Sequence, residues 1–159
     1  MVEATRRFLA VVVLAMWLGG IVFHGAVVVP TAHEVLGSHR EIGFVTRKVT
    51  GPLNGIGAVC LALLLWSSIG ESTGRTRQNR IALWTSWAVM LASVLTLFLL
   101  RSWLDAMLDP ARMEVADRER FFPLHERYLN VTSLLCLAGL AHLWFLISGF
   151  GQHSRKTAA

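Results

Sequence analysis

Among the 159 residues are six histidines, and two of them, His24 and His142, lie within long apolar runs. Imidazole changes charge near neutral pH, relays protons and ligates metals, so these positions are where chemistry is sought first. Depth decides which polar groups can meet. Counting about 1.5 Å per residue from the inner ends of the apolar runs puts His24 and Asn54 about 24 Å up, and Arg101 and Asn130 about 30 Å up. His24, Asn54, Arg101 and Asn130 then form one candidate polar cluster in the outer half of a bilayer, where ionisable groups are functional candidates by default. As a site, the cluster would open outward to a solute or a proton. As structure, it would be hydrogen-bonding glue between helices, with Arg101 reaching for the interface.

A second set lies higher. His33-Glu34 and His125-Glu126 both fall about 37 Å up if the first helix continues through Pro30. Imidazole beside carboxylate suits Zn, Cu or Fe, so His33, Glu34, His125 and Glu126 are candidate metal ligands. His33 and His125, with His24 as an alternative, are the candidate ligands of a haem b. The plain alternative is two solvated histidines beside ordinary surface acids. His142 lies about 12 Å up, which separates it from His24 by about 12 Å of depth and makes that pair a poor axial set.

The elements that must hold these groups follow from composition. The chain is 54% hydrophobic and 16% charged, with a mean hydropathy of +0.54. Its apolar residues gather into blocks free of Asp, Glu, Lys and Arg: 8–29, 49–70, 81–100 and 128–150. Each is about the 20 residues a helix needs to cross a bilayer. The fold expected is an all-α, up-down integral membrane bundle of four helices in a single domain, 1–159, with spans near 8–30, 50–70, 81–108 and 123–150. Thr50-Gly51-Pro52 reads as the start of the second span. Gly51 and Gly55, at four-residue spacing, read as a helix-packing surface. Asp109 reads as the N-cap of a short surface helix over 111–120.

This pattern excludes a soluble enzyme, a disordered tail and a nucleic-acid reader. The 15 Lys and Arg against 10 Asp and Glu mark loops and headgroups instead. Basic residues crowd into the N-terminus, the short 71–80 loop and the tail, which places both termini in the cytoplasm of an inner (plasma) membrane protein. Cys60 and Cys136 lie inside spans and suit no loop disulfide.

Several short motifs resemble known membrane families. Trp17-Leu18-Gly19-Gly20-Ile21-Val22-Phe23 resembles the first helix of copper-resistance-D-like proteins. Gly43 to Pro52 with Lys48, Arg101-Ser102-Trp103-Leu104-Asp105, and Phe121-Phe122 followed by His125 resemble the transmembrane-protein-205-like family. There the residues after the histidine are small, where this chain has Glu126-Arg127-Tyr128. The resemblance implies a four-helix membrane protein linked in places to metal or drug tolerance. A more distant likeness to protoporphyrinogen-oxidising four-helix proteins implies haem, with a histidine and carboxylate where His33-Glu34 stand.

The functional expectation is a non-enzymatic membrane protein, acting as an accessory or interaction subunit or in small-solute or metal handling. Its partners would be the bilayer and a membrane protein or a second copy. A haem- or metal-binding redox protein and a small transporter are the alternatives.

Overall fold

The computed structural model describes residues 2–37, 39–70, 76–109 and 114–148. Helix α1 (Val2–Phe23) runs through one π turn (His24–Val28) into α2 (Val29–Leu36). Pro30 explains the π turn. It has no N–H for the carbonyl of Ala26, and its ring would press on that group, so the backbone widens by one residue just before it. The rod ends at Gly37, whose φ of 61° suits a residue without Cβ and whose N–H donates to the His33 carbonyl at 3.2 Å.

Helix α3 (His39–Gly70) begins well before the Thr50-Gly51-Pro52 sequence, which is therefore not a helix start. Pro52 lies inside the helix, and Thr50 Oγ1 donates back to the Arg47 carbonyl at 3.3 Å in the turn before it. Helix α4 (Arg77–Ala106) is capped by Thr76, whose hydroxyl accepts from the Asn79 N–H. Of the surface helix expected over 111–120, residues 111–113 lie outside the described residues, and the described part is a strand followed by the start of the last long helix. Leu108–Asp109 (β1) pairs antiparallel with Glu114–Val115 (β2), and the Ala116 N–H donates to the Met107 carbonyl at 2.9 Å. Asp109 sits in that ribbon, and residues 110–113, where the helix expected to follow it would begin, lie outside the described residues. The N-cap is Asp117, whose Oδ1 accepts from the Arg120 N–H and opens α5 (Arg118–Ser148), with Pro123 near its start. The expected end of the fourth span at 150, and the tail with His153, Arg155 and Lys156, lie outside the described residues.

Four of these rods are long and apolar enough to cross a membrane: Ala4–Leu36, Glu41–Ile69, Arg77–Ala106 and Arg118–Ser148. Each extends beyond at least one end of its apolar block, because polar helix ends can still satisfy their backbone in headgroups. The chain thus has the helices of a multi-pass membrane protein. Helix α3 packs between α1 and α4, and α5 closes on α1 and α4. Leu14, Trp17, Leu64, Met90, Leu97, Leu135 and Leu146 fill the centre, while Phe8, Met16, Val59, Leu95, Leu137 and Trp144 point outward.

In lipid, burying apolar side chains between helices gains little, so close packing and hydrogen bonds must hold the rods together. Trp17 shows how. A Cβ at Gly57 would collide with the indole ring, so the absent side chain lets that ring lie on α3, where Nε1 donates to the Leu53 carbonyl at 3.1 Å. Trp87 repeats the device from α4, donating to the Leu61 carbonyl at 3.0 Å. Gly139 likewise admits Leu18. Along α3 and α4 the contacts pair Arg47 with Asp105, Gly51 with Arg101 and Leu61 with Trp87, so positions fall on one helix as they climb on the other. Gly51 and Gly55, expected to pack helices together, differ: Gly51 seats a side chain of α4, and a Cβ at Gly55 would meet open space.

Candidate functional site

One group of polar side chains lies at the end that carries Gly37 and the ribbon. There Arg47 Nε and Asp105 Oδ1 are 2.7 Å apart, and Arg101 Nε approaches Asp105 Oδ2 at 3.6 Å, one turn along the same helix. Arg101 Nη1 donates to Thr50 Oγ1 at 3.1 Å. A Cβ on Gly51 would stand 2.7 Å from both Nη atoms, so glycine is what lets the guanidinium lie against α3. Asn54, one turn further into the bundle, donates through Nδ2 to the Tyr128 hydroxyl at 3.2 Å.

His24 opens the π turn and is 8% exposed, yet neither ring nitrogen has a partner among the described residues. Gly20 lies against Leu53. One turn onward on the first rod is His24, and one turn back on α3 is Thr50, so the imidazole stands level with the Thr50–Arg101 bond. π turns recur at functional sites because they redirect a side chain without ending the helix. A buried polar atom left unpaired costs about 1–3 kcal/mol, which an occupying ligand or water would recover. Ser67 and Ser68, toward the other end, likewise have hydroxyls without a partner among the described residues.

Three members of the sequence-derived cluster, His24, Asn54 and Arg101, therefore sit at this end. Asn130 does not join them; it is exposed on α5. Its expected place is taken by Tyr128, two residues earlier. Tyr128 is the one tyrosine in the chain, and a phenol within an apolar run needs a hydrogen-bond partner, which was the available signal. Arg47 and Asp105 were missed because each lies among other charged residues at a helix end.

The second set does not assemble. His33, Glu34 and Glu126 are exposed, and His125 is half-buried and stacked on Phe121 at 5.8 Å between ring centroids. No three His, Cys, Asp or Glu side chains converge as a metal-ligand group among the described residues, so His33, Glu34, His125 and Glu126 form no such set. His142 is fully buried and shares a 2.8 Å hydrogen bond with Ser86 through Nδ1. Ser86 Oγ also reaches the Ala82 carbonyl at 2.8 Å. The single hydroxyl proton satisfies that carbonyl when the imidazole carries its proton on Nδ1 and donates to Ser86. Carried across from α4 by the Leu61–Trp87 bond, Ser86 lies near residue 62 of α3, about 18 Å along the bundle from the level of His24. One iron cannot take both imidazoles.

No curated protein and no solved structure matches the chain. A family model matches residues 12–111, which hold α1 from Val12 through all of α4 and therefore His24, Arg47, Thr50, Asn54, Arg101 and Asp105, but not Tyr128. With more than half its length matched, and with four helices fit to cross a membrane, the chain belongs to the family of the domain of unknown function DUF4149.

Proposed function

We propose that this protein is an up-down four-helix bundle of the inner (plasma) membrane, with both termini cytoplasmic, that binds and handles a small polar solute at its outward-facing polar end. The observation that carries this reading is His24. Its imidazole is buried at the level of the Arg101–Thr50 bond, in a π turn, with both nitrogens unpartnered among the described residues. The comparable interior groups His142 and Asn54 have side-chain partners in Ser86 and Tyr128. Interhelical glue would be bonded as those are, whereas a solute site presents unused donors and acceptors. The Arg47–Asp105–Arg101 group and the Asn54–Tyr128 bond lie within about a turn or two of the level of His24 along the helices.

The test is thermal unfolding of the protein in nanodiscs against a panel of small polar solutes. A ligand at about 100 times its Kd stabilises the folded state by about 2.7 kcal/mol. That stabilisation should appear in the native protein and vanish in His24→Ala. Equal stabilisation in both, or none with any solute, would remove the site.

A further inference from the structure

The charge at this end narrows the class of solute. Two guanidinium groups, Arg47 and Arg101, share the single carboxylate of Asp105 at 2.7 and 3.6 Å, and neither has another acidic partner among the described residues. One positive charge is left over. Both side chains stay reachable, at 30% and 23% exposed. Arg101 is also held in place, with Thr50 Oγ1 accepting from Nη1 and the bare backbone of Gly51 beneath the guanidinium. A held, partly solvated guanidinium fork with unused N–H groups matches the geometry of an oxyanion.

His24 supplies an independent observation. In the neutral ring one of its two unpartnered nitrogens is an acceptor, and a ligand that meets it must donate while accepting from the guanidinium groups. A carboxylate only accepts. A phosphate bearing a hydroxyl does both, whether the hydroxyl is its own P–OH or that of a glycerol esterified to it. We infer that the solute is such a phosphate oxyanion, held by Arg47 and Arg101 with its hydroxyl toward His24. This rests on the solute-site reading above and adds the ligand class to it. Free phosphate and the headgroup of an anionic phospholipid offer the same chemistry at this depth.

Two arms distinguish the sources. In one, inorganic phosphate is titrated by calorimetry into the protein in phosphatidylcholine nanodiscs. In the other, native mass spectrometry counts phosphatidylglycerol retained by the protein from mixed micelles. Binding is expected in at least one arm: phosphate binding marks a soluble ligand, and retention of phosphatidylglycerol alone marks a lipid headgroup. In that arm Arg47→Gln and Arg101→Gln should each weaken binding about tenfold, while Arg80→Gln, at the opposite end, should not. Should a glutamine variant fail to fold, Arg101→Lys keeps the charge beside Asp105 but loses the fork, and the same weakening is expected. No binding in either arm, unchanged binding in the Arg47 and Arg101 variants, or an equal loss in Arg80→Gln overturns the inference. If both phosphate arms fail while a neutral solute still stabilises the protein through His24, the oxyanion falls and the solute site stands.

Discussion

Replacing His24 by leucine separates a ligand site from a structural contact by the sign of one free energy. A bonded histidine stabilises its bundle, and its removal costs stability. His24 has no partner for either nitrogen among the described residues and is 8% exposed, so the ligand-free protein pays desolvation there without recovering it. The unpaired-group cost is about 1–3 kcal/mol. Part of it is borne by the separated helix in lipid as well, because there too His24 is only partly hydrated. Leucine fills a similar volume, leaving a net gain of about 1 kcal/mol. The assay is reversible unfolding by SDS in mixed micelles, or steric trapping in bicelles, without added solute. His142→Leu provides the opposite sign, because it strips Ser86 of a 2.8 Å partner and should cost about 0.6–1.7 kcal/mol. If His24→Leu destabilises as much as His142→Leu, the imidazole is glue and the reasoning fails.

Three further outcomes follow from the same geometry. Gly57→Ala drives a methyl into the Trp17 ring and should cost about 1–3 kcal/mol after its gain in helix propensity, whereas Gly55→Ala, facing open space, should be neutral or stabilising by up to about 1 kcal/mol; unfolding titrations compare them, and in a Trp17→Ala background the Gly57 penalty should largely disappear. Tyr128→Phe removes the acceptor of the Asn54 amide and should lower stability by about 0.6 kcal/mol, with no additional loss in the Asn54→Ala, Tyr128→Phe double variant. Asp105→Asn leaves two partly exposed guanidinium groups facing each other and should cost about 1 kcal/mol at low salt, shrinking as salt screens the repulsion. The same unfolding titration at two ionic strengths reads the effect.

The number of spans was legible because the bilayer imposes a length on every apolar block, and the four blocks are the cores of the four rods. Element ends were less so. Thr50-Gly51-Pro52 has the composition of a helix start, yet α3 runs through it, since a proline inside a membrane helix is tolerated where neighbouring groups take up the disturbed turn. Asp109 and Asp117 both precede charged stretches, and it is Asp117 that caps the start of α5, while Asp109 pairs in the ribbon. Depth counting brought His24, Asn54 and Arg101 to one end of the bundle because the rise per residue is nearly constant. It could not say which way each side chain points, and so it included Asn130, which faces outward, and passed over Tyr128, which faces in. Nor could it see Trp17 against Gly57 or Arg101 against Gly51, because the signal there is the absence of a side chain on the opposite helix.

Selective ¹⁵N labelling of the histidines in nanodiscs tests the solute site most directly, because each imidazole reports its own hydrogen bonds. Titration with inorganic phosphate, then with phosphatidylglycerol, should move the ring signals assigned by loss in His24→Leu, while those of His142, held by Ser86, stay in place. His24 signals that remain fixed through every solute that stabilises the protein would contradict the account.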